Sequence, residues 1–257
     1  MPASRSPGSG MFIEGKHAVA EALRAGMPLK TVFIAEGTKP DRISEEIERR
    51  AREKGLEVRR VPRRELDARS ERGAHQGVAA ESAPFKFASL ADVLKRVGDS
   101  PNALVIALDH VTDPGNLGAV ARTAEVVGAA AVVVTERRSA AVTPAAWKAA
   151  AGALAHVPLV QETNLARVLE QLKEAGFWVA GASEQAKQTV WDAPLEGRIA
   201  LVMGSEGSGL ARLTRERCDF LVRLPQAGKV GSLNVAQAAT AIAYEWLRRA
   251  QRAETRR

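Results

Sequence analysis

Five short apolar runs alternate with helical patterns in the second half of the chain, and this alternation most constrains the fold. Each run is predominantly apolar, as is typical of parallel strands buried on both faces. The runs are Leu104–Leu108, Ala131–Thr135, Phe177–Ala182, Ile199–Met203 and Phe220–Leu224. Helices are predicted at Leu117–Val127, Pro144–Ala155, Leu165–Ala175 and Leu210–Arg217. Since apolar residues make up 46% and aromatics only 4%, helices packed on a parallel α/β sheet are expected.

A smaller α/β pattern precedes this sheet. Helices are predicted at Gly15–Arg24 and Pro40–Lys54, and strands at Thr31–Ala35, Leu56–Val61 and Gly77–Ala80. The expected organisation is a disordered arm over residues 1–10, a small domain over 11–82, a linker over 83–102, a large domain over 103–250 and a basic tail over 251–257.

The charge of the chain points to a polyanionic partner. The formal net charge is +7, and the segment from Arg49 to Arg72 holds ten Lys or Arg against five Asp or Glu. The last ten residues hold five Arg and one Glu. Such patches attract nucleic acid, although a solvated arginine-rich surface is the alternative.

Loops that follow parallel strands meet at one edge of the sheet, where ligands bind. After Leu108 the sequence contains an Asp-Pro-Gly-Asn turn, and Asn116 is predicted as the N-cap of the next helix. Arg122 stands off the apolar stripe of that helix and can face a groove. An ordinary solvent-facing arginine is the alternative for Arg122.

A glycine-rich loop, Gly204-Ser205-Glu206-Gly207-Ser208-Gly209, follows the fourth run. Its spacing fits neither a phosphate-binding P-loop nor a dinucleotide fingerprint. Glu206 would repel a pyrophosphate, so a cofactor with a positive centre is favoured, while a cap of the next helix is the alternative role for Glu206. A third loop runs through Ser232-Leu233-Asn234 into a helix rich in small residues, which by itself is equally typical of a capped core helix.

Together these motifs resemble the SpoU (TrmH) family of RNA 2′-O-ribose methyltransferases. The resemblance rests on Asn116 followed by Arg122, on Met203-Gly204-Ser205-Glu206-Gly207, and on Ser232-Leu233-Asn234-Val235. Ile13-Glu14-Gly15-Lys16-His17 and Ala74-His75-Gln76-Gly77-Val78 are similar to signatures of that family's RNA substrate-binding domain. The most similar subgroup methylates a guanosine of 23S rRNA.

The resemblance implies a trefoil knot in the C-terminal domain, a homodimer, and S-adenosylmethionine held by Gly204, Leu224 and Leu233. It also implies an active site made by a set of five residues. These are Asn116, Arg122, Glu206, Ser232 and Asn234. The family assigns Arg122 the role of base. Because a guanidinium stays charged, an electrostatic role that lowers the pKa of the 2′-hydroxyl is physically easier.

Several alternatives stay open. The target could be a tRNA or another rRNA site, or the chain could be a non-catalytic RNA-binding factor of the ribosome. A nicotinamide-dependent oxidoreductase is disfavoured by the glycine spacing. No metal site is expected from one cysteine and four scattered histidines. No apolar run approaches the ~20 residues of a membrane span, so a cytoplasmic location without membrane contact is expected.

Overall fold

The computed structural model of the protein describes residues 10–70, 75–229 and 231–255. The chain forms two compact units. The first contains the chain up to Lys86 together with Val142–Gly152, and the second contains Phe87–Ala141 and the chain from Ala153 onward. Apart from Gly10, the arm predicted over residues 1–10 lies outside the described residues.

The first unit contains a mixed four-stranded sheet in the order β1-β4-β2-β3. Its strands are β1 (Phe12–Glu14), β2 (Leu29–Ala35), β3 (Glu57–Val61) and β4 (Val78–Ser82). Strands β2 and β3 are parallel, whereas β4 is antiparallel to both β1 and β2. Its helices are α1 (Lys16–Arg24), α2 (Arg42–Glu53), α3 (Arg63–Arg69) and α6 (Pro144–Ala150).

Helix α2 shows how the sequence sets these elements. The Asp41 side chain accepts a hydrogen bond from Ser44 N, and the Ser44 hydroxyl accepts one from Asp41 N, which together form a capping box. Ile47 and Ala51 are buried along one side of the helix. The helix therefore begins where its first free N–H groups find partners, and it packs through a narrow apolar stripe.

The second unit contains a parallel seven-stranded sheet in the order β7-β6-β5-β10-β8-β11-β9. Its strands are β5 (Ala103–Asp109), β6 (Ala131–Thr135), β7 (Leu159–Glu162), β8 (Trp178–Ala182), β9 (Gln188–Thr189), β10 (Arg198–Gly204) and β11 (Phe220–Arg223). Its α-helices are α4 (Leu90–Val97), α5 (Pro114–Val126), α7 (Leu165–Glu174), α8 (Arg212–Arg217) and α9 (Val235–Thr255). Every residue of β5 is buried, as a central strand covered on both faces requires.

This architecture confirms the predicted fold class: a C-terminal parallel-sheet α/β domain preceded by a small α/β domain. The trefoil knot stays a prediction. Part of the segment expected as a linker over 83–102 packs into the second unit, because Leu90 and Val93 of α4 are buried in the same apolar core as Val105. At the other end, α9 continues to Thr255, so the segment expected as a tail begins as helix.

Two local predictions need correction. Asn116 is not the N-cap of α5: the Asp113 side chain caps the helix by accepting from Asn116 N, and Pro114 is the first helical residue. The helix predicted over Pro144–Ala155 ends at Ala150, because Ala151 adopts a left-handed conformation with φ 49°, and a 3-10 turn follows over Ala153–Ala155. The correction at Asn116 matters for the site, because it leaves the Asn116 amide available for other contacts.

Candidate active site

The site lies at the carboxyl edge of the parallel sheet, beyond the neighbouring strands β5 and β10. Their register places Gly204 beside Asp109. The chain continues from β5 towards β6 on one side, while β8 and β11 lie on the other side of β10. Neighbouring strands that lead in opposite directions across a sheet leave a crevice between their loops, which is where open α/β sheets bind ligands.

A buried carboxylate fixes the glycine-rich loop to this edge. Asp109 is 1% exposed, and its Oδ2 accepts a hydrogen bond from Ala211 N at 2.7 Å. Its Oδ1 lies 2.6 Å from His110 Nδ1. Two backbone hydrogen bonds close the glycine-rich loop: Ser205 N donates to Gly209 O, and Gly209 N donates to Ser205 O. Asp109 therefore holds the end of the loop that carries Glu206.

Glycine is required at the start of this loop. A Cβ built on Gly204 would lie 2.3 Å from the carbonyl carbon of Gly209 and 2.5 Å from Leu210 N. No side chain fits between two backbone segments that approach so closely. Gly204 thus lets the loop fold back on its own strand.

Three predicted site residues meet in one hydrogen-bonded cluster. Asn116 Nδ2 donates to Glu206 Oε1 at 3.1 Å, and Asn234 Nδ2 donates to the same oxygen at 2.9 Å. Asn234 Nδ2 also lies 2.8 Å from Asn116 Oδ1 and donates to it. The cluster joins the first turn of α5, the loop after β10 and the start of α9, so two amides orient one carboxylate.

Asn234 also caps the last helix. Its Oδ1 accepts from Ala236 N at 2.9 Å and from Gln237 N at 3.4 Å. The oxygen of the Asn234 amide therefore satisfies the helix terminus, while its nitrogen serves the polar cluster. Helix capping and site formation, which the sequence leaves as alternatives, occur together in this residue.

A cavity of about 540 Å³ opens beside the cluster. Gly204, Leu224 and Leu233, the predicted cofactor residues, line it, as do Ser232 and Asn234. The Ser232 side chain is exposed at this position. Six further polar residues in the lining are not singled out by any sequence motif: Ser183, Glu184, Gln185, Arg215, Arg223 and Gln226. The position of Glu184 and Gln185 just after a predicted strand is the signal that could have found them.

Arg122 neither joins the hydrogen-bonded cluster nor belongs to the lining of the cavity. It is exposed on α5 and makes no hydrogen bond or ion pair with the described part of the chain. Asn116 and Glu206 bond to each other and to Asn234, and neither bonds to Arg122. The neighbouring Thr123 hydroxyl bonds to Thr240 at 2.6 Å and joins α5 to α9.

Other chemistries find little support among the described residues. Burial raises the pKa of the Cys218 thiol to about 12, so this cysteine stays protonated and is a poor nucleophile. Within residues 10–70, 75–229 and 231–255, no three His, Cys, Asp or Glu side chains gather to hold a metal ion. No helix in the described part of the chain has the length and apolar character to cross a membrane.

Fold and cavity together define an α/β protein that binds a small organic ligand at the crevice of its sheet. Comparison with known proteins gives the family. Residues 103–244 match the SpoU rRNA Methylase family, and residues 12–88 match a domain described as RNA 2′-O ribose methyltransferase substrate binding. The chain therefore belongs to the SpoU (TrmH) family of RNA 2′-O-ribose methyltransferases. It is an enzyme, which rules against the non-catalytic alternative.

Individual relatives agree with this assignment. The 23S rRNA (guanosine-2′-O-)-methyltransferase RlmB of Pseudomonas putida is 44% identical over 93% of this chain and 96% of its own length. Bacillus subtilis YacO, named only as a candidate TrmH family tRNA/rRNA methyltransferase, is 40% identical over 93% of this chain and 95% of its own. The crystal structure of AviRb from Streptomyces viridochromogenes with AdoMet is 26% identical, with a TM-score of 0.68, over 95% of this chain and 91% of that one.

The cofactor is S-adenosylmethionine, and the cavity fits it. A volume of about 540 Å³ is within the usual range of small-molecule sites, roughly 300–1,000 Å³. The lining offers carboxylates at Glu184 and Glu206 and guanidinium groups at Arg215 and Arg223. Both signs of charge suit a ligand that carries an ammonium, a sulfonium and a carboxylate.

Proposed function

We propose that this enzyme methylates the ribose 2′-oxygen of a guanosine in 23S rRNA. The 44% identity to P. putida RlmB across nearly the whole of both chains supports this target. A tRNA or another rRNA ribose is the second candidate, since YacO carries a name that covers both. The cluster of Asn116, Glu206 and Asn234 at the mouth of the cavity is the observation that carries the catalytic part of the proposal.

The residues divide the work of an in-line methyl transfer. When bound, S-adenosylmethionine supplies an electrophilic methyl group on a sulfonium. Gly204, Leu224 and Leu233 line the cavity and would hold this cofactor, and Ser232 belongs to the same lining. Asn116 and Asn234 fix the Glu206 carboxylate, which keeps negative charge near a cationic ligand. A ribose held beside this cluster would already be oriented towards the cofactor, which lowers the entropic cost of the reaction.

Arg122 has an electrostatic role in this proposal. It follows Asn116 by six residues on α5, about 9 Å along the helix axis. Its exposed guanidinium is free to bind an RNA phosphate next to the target ribose. A cation there would lower the pKa of the 2′-hydroxyl and favour loss of its proton to solvent water in the transition state. Arg122 itself stays protonated because its guanidinium is too weak an acid to lose a proton.

Variants of Arg122 test this role. Arg122→Ala should lower kcat/KM for RNA about 10²-fold, the scale of one lost transition-state contact, while cofactor affinity by calorimetry stays unchanged. Arg122→Lys should recover part of the rate, because it restores charge without the bidentate geometry. Arg167→Ala, which removes an exposed arginine of α7, is the control. Near-normal turnover of Arg122→Ala would disprove the assignment.

The target itself needs a direct experiment. Purified enzyme should be incubated with labelled S-adenosylmethionine and, separately, with 23S rRNA, 16S rRNA and tRNA from a strain that lacks the gene. The methylated ribose is then mapped. Label confined to one guanosine of 23S rRNA is expected. Label confined to tRNA would instead select the second candidate.

The basic segment Arg49–Arg72 supports RNA binding, but fewer of its side chains are available to contact RNA than the charge count implies. Several of its arginines are held by carboxylates on the same unit; these are Arg49, Arg50, Arg52, Arg60 and Arg69. Arg63 and Arg64 are exposed and have no ion pair within the described residues. These two side chains are therefore the better candidates for phosphate contacts.

The homodimer belongs to the same proposal. Val126 of α5 and Tyr244 of α9 are 57% and 47% exposed, and exposed apolar side chains on two helices that pack together favour a subunit contact. The trefoil knot and the cytoplasmic location also stay predictions from the resemblance and the sequence.

A further inference from the structure

The two faces of the small sheet carry different chemistry. Successive residues of a strand point to opposite faces, and on edge strand β3 they separate Arg59 from Arg60. Arg60 pairs with Glu48 of α2 at 2.8 Å, so it lies on the face that this helix covers. Arg59 is beside Phe33 in the register of β2 and β3 and lies on the opposite face.

On that opposite face, two arginines lie over two aromatic rings. The Phe12 and Phe33 ring centroids are 6.2 Å apart with the planes at 47°. The Arg69 guanidinium lies 4.5 Å from the Phe12 centroid and 4.6 Å from that of Phe33. The Arg59 guanidinium lies 5.6 Å from the Phe33 centroid. All three distances are within the roughly 6 Å of a cation–π contact.

The charges on this face disfavour a phosphate ligand. Arg69 is neutralised by Glu81 at 2.9 Å, and Glu57 lies on the same face as Arg59 and accepts a hydrogen bond from Thr31. Arg59, by contrast, is exposed and pairs with no carboxylate in the described part of the chain. Phe33 is only 1% exposed and is also packed against Leu66 of α3, so the exposed guanidinium groups of Arg59 and Arg69, rather than the ring, are available to a ligand. A flat, polar, nearly neutral ligand suits such a surface.

We propose that Arg59 and Arg69, supported by Phe12 and Phe33, form a stacking platform for an unpaired nucleobase of the RNA substrate. Bases that are splayed out of a helix stack on guanidinium planes as well as on aromatic rings. The carboxylates beside the platform match the exocyclic amino and ring N–H donors of a base. The proposal rests on the proposed function only in taking RNA as the ligand.

Arginine-to-lysine variants separate stacking from charge, because lysine keeps the charge but has no plane to stack. The probes are a 12-nucleotide oligo(A) RNA, a 12-mer of the same backbone without bases, and a 12-base-pair RNA duplex. Arg59→Lys should weaken oligo(A) binding about 5- to 50-fold, the effect of losing one stacked base. Affinity for the abasic 12-mer and the salt dependence of binding should stay unchanged.

Arg52→Lys is the matched control, since Arg52 lies on α2 and pairs with Glu48. Arg69→Lys serves as the second platform variant, and the thermal midpoint of each variant reports its folding. An equal loss of affinity for oligo(A) and the abasic 12-mer would show a phosphate contact and overturn the proposal. So would unchanged oligo(A) affinity in both platform variants, or a loss confined to the duplex.

Methyl transfer distinguishes this proposal from the proposed function. If the platform exists, Arg59→Lys raises KM for RNA while kcat and cofactor affinity remain those of the wild type. If the wild-type enzyme methylates none of the three RNA pools, the proposed target fails, but the oligonucleotide measurements still decide whether the platform binds a base.

Discussion

Replacing Asn234 by aspartate tests the role of Asn234 in the polar cluster separately from its role as a helix cap. The new carboxylate would keep an Oδ1 that accepts from Ala236 N and Gln237 N, and aspartate caps helices as well as asparagine does. The change removes the Nδ2 donor that binds Glu206 and Asn116. It therefore places a second carboxylate against Glu206 without weakening the start of α9.

The geometry sets the size of the effect. At the 2.9 Å that separates Asn234 Nδ2 from Glu206 Oε1, two like charges repel by about 1.4 kcal/mol in bulk water and about 6 kcal/mol at an effective dielectric constant of 20. Both side chains are exposed, so the lower part of that range applies. With the lost charge-assisted hydrogen bond, we expect a loss of about 2–3 kcal/mol, or roughly 30- to 150-fold in kcat/KM.

The assay is methyl transfer from labelled S-adenosylmethionine to RNA, measured from pH 5.5 to 8. As pH falls, one of the two facing carboxyls takes up a proton, which removes the repulsion and restores a donor. The deficit of Asn234→Asp should therefore shrink towards low pH while its thermal midpoint stays near that of the wild type. Asn234→Ala, which also loses the cap, should melt lower. Wild-type kcat/KM at pH 8 for Asn234→Asp would refute the reasoning.

Two further predictions concern the loop and the acid stability of the first unit. Gly204→Ala would force its Cβ against the Gly209 carbonyl, and overpacking of this kind costs about 1–3 kcal/mol, so calorimetry should show weak cofactor binding and a thermal midpoint lower by several degrees. Hydrogen bonds from Arg24, then Arg50, lower the pKa of Glu46 from 4.5 to about 2. The folded state then gains stability above pH 4.5 and loses it as pH falls towards 2, so Glu46→Gln should melt below wild type at pH 5 and converge with it near pH 2.

Matched variants show whether these effects are local. A Cβ on Gly228 meets nothing within 4 Å, so Gly228→Ala should bind cofactor normally. Equal losses in the two glycine variants would contradict the steric argument. Glu45→Gln is the control for Glu46→Gln, because Glu45 is exposed, is next to Glu46 in the sequence and takes no part in the ion pairs that Glu46 makes. A melting difference between Glu46→Gln and wild type that persists undiminished near pH 2 would show that the ion pairs are not its cause.

The sequence predicts the central strands and their common edge well, because burial on both faces leaves a continuous apolar run in β5, β6 and β10. It does not predict β9, whose Gln188 and Thr189 become a strand only by pairing with β11. Such a strand depends on a partner brought by the tertiary fold, so no local pattern marks it.

The same limit applies to the site: its motifs are visible in the sequence, but contacts that depend on the tertiary fold are not. The glycine loop and Asn234 are visible as motifs, but the bond from Asn116 to Glu206 depends on which strands are neighbours. The Asp-Pro pair at 113–114 is the overlooked signal, since it caps α5 three residues before Asn116 and thereby frees the Asn116 amide. The sequence predicts that Arg122 is exposed, because it lies outside the apolar stripe of α5. It does not predict that Arg122 has no hydrogen-bond or ion-pair partner among the described residues.

The polar cluster joins parts of the chain that are far apart in sequence. Asn116 and Glu206 are separated by 90 positions, and Asn116 and Asn234 by 118. A polypeptide still being synthesised therefore has no complete cavity until Asn234 and the helix behind it have emerged and docked. Contacts of such high sequence separation form slowly, and a ligand stabilises only the state that can bind it. We therefore expect S-adenosylmethionine binding to report that Asn234 and the start of α9 have docked against Asn116 and Glu206.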